Sequence, residues 1–169
     1  MTPQTAKRWL NTLTEAFEWF EIPAFSQNAI KKVSGKPKGF FSDTGQVCFS
    51  QMISTPAAIA AHPLWGALFE NAVVSELRKQ LLLVPAPPQM YHWRLHSGAK
   101  VDLILERDGM FFPIEIKAKT QPTARDASGI TAFRKHYPRL RIERGLILAP
   151  AETVYPVTER DSVIPWDLI

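Results

Sequence analysis

Asp102, Glu115 and Lys117 are the residues of this chain whose types and spacing can do chemistry together. Val101-Asp-Leu-Ile-Leu-Glu-Arg and Met110-Phe-Phe-Pro-Ile-Glu-Ile-Lys read as two strands, and the Asp108-Gly109 between them is the strongest short hairpin signal a sequence can carry. If those two residues are the loop, Val101 faces Ile116, Leu103 faces Ile114 and Leu105 faces Phe112, so one side of the hairpin is uniformly apolar. On the other side Asp102 faces Glu115, and Lys117 lies two residues further on the same face because strand side chains alternate. Two carboxylates facing each other repel by roughly 3 kcal/mol at about 5 Å with an effective dielectric of about 20, which asks for a compensating charge. Magnesium is suited to the task, since it takes oxygen ligands and uses one or two carboxylates with waters and a phosphate. The lysine beside it can orient or help deprotonate the water that attacks a phosphodiester. A Glu-x-Lys at a strand end is by itself an ordinary solvated ion pair. Its weight here comes from Asp102 landing opposite Glu115 in a register supported by the apolar side.

The elements that position these groups follow from periodicity and turn chemistry. After Pro63, the residues Trp65, Leu68, Phe69, Ala72, Val73 and Leu77 recur at helical spacing as far as Lys79, with Pro63 expected in the first turn. Glu70 falls at the border of this apolar stripe and Glu76 also intrudes on it, so a carboxylate from the helix can point toward an adjoining sheet. Pro85-Ala-Pro-Pro88 ends the helix, and Met90 to Leu95 reads as a strand. After the hairpin, Asp126 to Tyr137 reads as a helix and Arg144 to Pro150 as a buried strand. The stretch from Val154 to Ile169, interrupted by Pro156 and Pro165, is expected to form an edge element. Upstream, Thr5 to Ala16 carries Trp9, Leu10, Leu13 and Ala16 at helical spacing, and Phe17 to Ile22 reads as a short aromatic strand. This helix-strand arm over residues 1–56 is similar to the second half of a winged helix. Phe40-Phe41 before Asp43-Thr-Gly reads as a strand entering a turn. Residues 57–169 hold the helix, the hairpin and the elements that follow.

The chain has 169 residues, 46% of them hydrophobic, enough for one ordinary domain plus an arm. No run approaches the roughly 18 apolar residues of a membrane span, and the polar opening Met1-Thr-Pro-Gln-Thr-Ala-Lys-Arg is unlike a signal peptide, so a soluble cytoplasmic protein with no membrane partner is expected. The single cysteine, Cys48, excludes an internal disulfide or a cysteine-based zinc cluster. His62, His92, His96 and His136 present no zinc-ligand spacing and read as ordinary polar residues. Gly35-Lys36 is no phosphate loop, because position 30 is Ile and Pro37 stands where Ser or Thr must bind magnesium. The net charge of +4 is compatible with a polyanionic partner. Lys31, Lys32, Lys36, Lys38 and Arg94 are the candidate nucleic-acid contacts, although a basic run among glycines is ordinarily a solvated loop.

The order of a Glu-bearing helix, Val-Asp-Leu and Ile-Glu-Ile-Lys resembles the αβββαβ core of PD-(D/E)XK nucleases, the restriction-endonuclease-like fold, especially its resolvase-like branch. Nearly the whole chain is similar to the domain of unknown function 4143, which follows the ATPase module in many bacterial and archaeal AAA-type ATPases. The stretches that carry this similarity are Lys-Pro-Lys-Gly-Phe-Phe-Ser-Asp-Thr-Gly (36–45), His-Pro-Leu-Trp-Gly-Ala-Leu-Phe-Glu-Asn (62–71), His-Trp-Arg (92–94), Val-Asp-Leu-Ile-Leu-Glu (101–106) and Pro-Ile-Glu-Ile-Lys (113–117). The resemblance implies an α/β fold with a mixed sheet flanked by helices over residues 57–169. It implies a site of Glu70, Asp102, Glu115 and Lys117, with Asp102 and Glu115 as ligands of magnesium or manganese, and DNA, an ATPase module or a second copy of the chain as partner. One position departs from the family pattern: two residues before the Asp, where the family usually has Glu, this chain has Lys100, which the hairpin register puts opposite Lys117. Facing lysines add positive charge where a metal would bind and are expected to weaken its binding. Two functions compete on these grounds. One is a magnesium-dependent endonuclease; the other is a non-catalytic DNA-binding or protein-docking module derived from an ATPase.

Overall fold

A computed structural model describes residues 1–27 and 35–169, so Lys31 and Lys32 lie outside the described residues. In chain order the elements are α1 (Pro3–Glu15), β1 (Trp19–Ile22), β2 (Lys38–Phe41), α2 (Thr44–Ser50), α3 (Pro56–Ala61) and α4 (Trp65–Leu81). Then come β3 (Gln89–Arg94), β4 (Lys100–Arg107), β5 (Met110–Ile116), α5 (Ser128–His136), β6 (Arg141–Ile142), β7 (Gly145–Ala149), β8 (Tyr155–Pro156) and β9 (Asp161–Pro165). Strands β3 to β5 run antiparallel, β5, β7 and β9 are parallel, and the main sheet has the order β3-β4-β5-β7-β9-β8, with β6 also beside β5. It is a mixed α/β fold with a mixed sheet flanked by helices.

The hairpin forms in the expected register, with Leu103 opposite Ile114 and Leu105 opposite Phe112. Its turn residues have φ of 53° at Asp108 and 73° at Gly109, the two positive angles a two-residue type I′ turn requires. The side carrying Leu103, Leu105 and Ile114 is apolar as expected, and the opposite side is covered as well. Leu103, Leu105, Ile114 and Ile116 pack with Phe69, Val73 and Val74 of α4. Val101, Ile104 and Phe111 pack on the opposite face with Tyr91, Trp93 and Phe133 of α5. Because β5 continues into a parallel crossover through α5 to β7, each face of the sheet receives a helix, and its strands are buried on both sides.

Val101 is therefore not on the Leu103 side. A bulge explains this: Tyr91 pairs with Ile104 but Trp93 pairs with Val101, so Asp102 and Leu103 together oppose His92. Two residues opposite one turn the end of β4 over, which moves Val101 into the other cluster. The buried acids Asp102 and Glu115 lie at this one end of the hairpin.

Several expected elements are displaced in ways with local causes. Helix α4 begins at Trp65, after Pro63 and not around it, and the Trp65 indole nitrogen donates to the Ala118 carbonyl at 3.1 Å, tying the helix start to the end of β5. Asp43 does not enter a free turn; its side chain accepts from the Gly45 amide at 2.7 Å and caps α2. The stretch from Val154 to Ile169 does form the edge, but as two strands: β9 lies beside β7, and the two-residue β8 is the edge itself. The residues read as an arm contribute to the main core, since Phe20, Ile22 and Phe40 share the α4 cluster. Asn71 of α4 fixes this union by accepting from the Phe41 amide at 2.8 Å and donating to the Phe41 carbonyl at 2.9 Å. Helix α1 buries none of its residues, and Trp9 is exposed.

Candidate metal centre

Asp102 and Glu115 are almost fully buried, 3% and 2% exposed, at the end of β4 and β5 where the bulge lies. Each carboxylate is held by named donors. The Lys100 ammonium donates to Asp102 Oδ1 at 2.6 Å, and the Ile116 amide donates to Asp102 Oδ2 at 3.1 Å. Lys117 donates to Glu115 Oε2 at 2.6 Å and stands 3.9 Å from Asp102 Oδ2, so one lysine serves both acids. Strand β5 hands Lys117 to this position because its amide continues the sheet by donating to the Leu148 carbonyl of β7 at 2.9 Å.

The two acids differ in charge state. Burial, followed by the neighbouring Asp102 charge, pushes the Glu115 carboxyl up to about 8 against the pull of Lys117. Burial also works against ionised Asp102, but the Lys100 hydrogen bond and charge, the Ile116 amide and Lys117 outweigh it and hold this carboxyl below its usual range. A buried pair of like charges cannot both ionise freely, so the charge favours Asp102, the acid with more donors, and the proton favours Glu115. The same contact, with the charges of Glu70 and Glu115, outweighs the burial of Lys100 and holds its amine above its ordinary value.

Of the four positions expected to form the site, the structure brings Asp102, Glu115 and Lys117 into contact. Glu70 is placed differently. It forms an ion pair with Lys38 of β2, and it reaches the other groups only as a charge felt by Lys100. Glu76 turns to the surface and pairs with Lys79 at 3.8 Å. Among the nucleic-acid candidates, Arg94 is the direct strand partner of Lys100. Burial, together with the positive charges of Lys38 and Arg94, keeps the His92 imidazole below its usual value despite its bond to the Lys36 carbonyl. Lys100 and Lys117 on the carboxylates, Arg94 beside Lys100 and Lys38 on Glu70 thus give this end of the sheet a basic border.

A cleft of about 270 Å³ opens beside Glu115 between the β3–β4 turn and the start of α5, lined by Lys100, Lys117, Arg125, Ser128 and Gly129. Arg125 has no ion-pair partner among the described residues, and sequence reading missed it because a lone arginine ahead of a helix has no distinguishing spacing. Gly129 was also missed. A Cβ there would lie 2.2 Å from Glu115 Oε1 and 1.9 Å from the Lys100 carbonyl oxygen, so the close seating of α5 on the site depends on glycine.

The donor set fits a hard divalent cation in kind: two carboxylates converge at one end of the sheet, and magnesium needs no more than one or two from the protein. Among the described residues no third acid, His or Cys joins them. Lys100 and Lys117 stand on the oxygens a cation would use, but both side chains are partly exposed, 47% and 24%, and can turn toward the cleft.

The family described as domain of unknown function (DUF4143) matches residues 65–169. An uncharacterized protein of Mycobacterium bovis and one of Mycobacterium tuberculosis are each 28% identical to the chain over 165 residues, covering 98% of the chain and 35% of the relative. The chain spans about a third of the length of these curated relatives. No solved structure matches the chain. Among the described residues no helix is long and apolar enough to cross a membrane.

Proposed function

The chain belongs to the DUF4143 family, and from its site we propose that it is a PD-(D/E)XK nuclease-like domain that binds DNA and hydrolyses phosphodiester bonds with magnesium or manganese. The observation that carries this reading is the buried Asp102–Glu115 pair with Lys117 bridging to both acids. Asp102 and Glu115 would hold the ion, which when bound supplies charge neutralisation and a more acidic water. Lys117 would position that water and steady the charge gathering on the phosphate, a role supported by its ammonium reaching both acids. Glu70 acts at one remove, by holding Lys38 in the basic border. Lys36, Lys38 and Arg94 would fix the DNA backbone, a task that requires charge and no base reading. Hydrolysis then adds water across one P–O bond, leaving a phosphate end and a free hydroxyl.

Purified protein with magnesium or manganese is expected to cleave plasmid or branched DNA, and Glu115→Ala and Lys117→Ala are each expected to abolish cleavage. Cleavage that survives both changes would sink the assignment of the site. A second reading is favoured by one specific contact, the Lys100 ammonium on Asp102: a non-catalytic DNA-binding or protein-docking module derived from an ATPase. That reading expects DNA binding that is indifferent to the metal and no cleavage under any of these conditions.

A further inference from the structure

Each acid of the region has a lysine of its own: Lys38 on Glu70, Lys100 on Asp102 and Lys117 on Glu115. The lysines are not equivalent. Lys117 is the more buried of the two at the hairpin and reaches both acids, whereas Lys100 is 47% exposed and serves one oxygen, Asp102 Oδ1, at 2.6 Å. An ammonium and a divalent cation cannot share that oxygen, because they would sit at contact distance with like charge. Lys100 also lines the cleft with Lys117 and Arg125. Its compact charge on a flexible four-carbon stem can leave Asp102 without moving the backbone.

We infer that Lys100 is a transferable counterion, standing on Asp102 when the metal is absent and passing to a DNA backbone phosphate in the adjoining cleft when a divalent cation takes Asp102. The inference rests on the reading of Asp102 and Glu115 as metal ligands. Metal binding releases an ammonium for the phosphate, and phosphate binding removes the ammonium that competes with metal. The two affinities therefore rise together and by the same factor. Such couplings span about 5- to 150-fold, and about tenfold is expected here for one exchanged ion pair. Replacing Lys100 with a neutral side chain removes both the competitor and the link. Metal then binds tightly without DNA and gains little from it.

The test is Mn²⁺ affinity of the full chain, measured by titration calorimetry at fixed ionic strength, alone and with a short DNA duplex whose integrity is checked afterwards. Mn²⁺ binding to the duplex alone is subtracted. The parent is expected to bind Mn²⁺ about tenfold more tightly with the duplex. Lys100→Met is expected to bind Mn²⁺ more tightly than the parent without DNA and to lose most of the duplex effect. Lys79→Met, which removes the same charge from a lysine paired with Glu76 on the surface of α4, is expected to keep that effect. Thermal unfolding gives a second readout: metal-free Lys100→Met should melt lower than the parent, and Mn²⁺ should raise its melting temperature by more. If Mn²⁺ binds the parent, is lost in Asp102→Asn, and is equally tight in Lys100→Met, the transferable counterion is overturned while the metal site stands. Equal loss of the duplex effect in Lys79→Met also overturns it. Absence of Mn²⁺ binding in both parent and Lys100→Met overturns the inference together with the metal-ligand reading.

Discussion

Gly129 of α5 and Glu115 of β5 are so close that a single added carbon on Gly129 would lie 2.2 Å from the carboxylate oxygen Oε1. The same carbon would lie 1.9 Å from the Lys100 carbonyl oxygen, which belongs to a strand and cannot swing aside. Gly129→Ala is therefore expected to push α5 off the sheet or displace Glu115. Overpacking of this kind costs about 1–3 kcal/mol, and the upper end is expected because backbone is one of the contacts. Urea unfolding measures the loss. An alanine variant as stable as the parent would show that the helix is not seated as described.

Stability should fall as pH rises from about 4.5 to about 8. Burial and the Asp102 charge hold the Glu115 carboxyl up to about 8, so across this window the folded chain keeps a proton that the unfolded chain has released. The stabilising contribution of that proton is complete at low pH and is lost as pH passes the folded value. Asp102 has the opposite sign: its lowered value contributes stability that is lost as pH falls through the acid range. Glu115→Gln carries no charge to bury, and its unfolding free energy should lack the decline toward pH 8. If the parent and Glu115→Gln show parallel pH profiles, the buried acid is not protonated as its surroundings require.

Much of this arrangement could be read from the residues, and the parts that could not have physical reasons. Asp108-Gly109 demands two positive φ angles, and this local requirement fixed the hairpin and with it the pairing of Leu103 with Ile114. Val101 defeated the same arithmetic because β4 is bulged against β3, with Asp102 and Leu103 together opposing His92, and the turn between β4 and β5 carries no information about the pairing with β3. Asp102, Glu115 and Lys117 came together as expected, with Lys117 reaching both acids, although β4 departs from simple alternation at Asp102 and Leu103. Glu70 did not join them directly, because the partner that claims it, Lys38, is remote in sequence and reaches α4 only once β2 is folded against it. Arg125 and Gly129 owe their roles to the crossover through α5, which brings a helix start over the hairpin end. Periodicity described that helix but not the face of the sheet it covers.

Asn71 is a second position where one side chain joins remote segments. It is 9% exposed and makes both of its hydrogen bonds to the backbone of Phe41, so it replaces the partner strand that β2 lacks on that side. Asn71→Ala leaves the part-buried amide and carbonyl of Phe41 without this partner, each costing up to about 1–3 kcal/mol. A loss of about 2–4 kcal/mol is expected by urea unfolding, with the change confined to stability and no loss of metal affinity in the protein that remains folded. Asn71→Asp is no rescue, because a carboxylate oxygen would then face the Phe41 carbonyl. A loss below about 0.5 kcal/mol would mean that water replaces the amide without penalty.

The salt dependence of DNA binding separates a basic border that touches phosphates from one that is merely solvated. Arg94 is exposed and pairs across the sheet with Lys100, so it stands beside the acids without an ion pair of its own among the described residues. Each phosphate that a protein cation neutralises releases condensed counterions and adds about 0.9 to the slope of log affinity against log salt. Arg94→Ala should lower that slope by about one unit and weaken binding to all DNA sequences alike, because backbone contacts carry no base information. Lys38→Ala removes the same formal charge, but Lys38 is already neutralised by Glu70, so its loss exposes an acid to the DNA. It should therefore weaken binding by more than a solvated lysine would, and Glu70→Gln in the same chain should restore part of the affinity. Filter or anisotropy titrations between about 50 and 200 mM salt, the range over which multi-contact complexes lose most affinity, provide the slopes. Identical slopes for the parent and Arg94→Ala would place the DNA away from this end of the sheet.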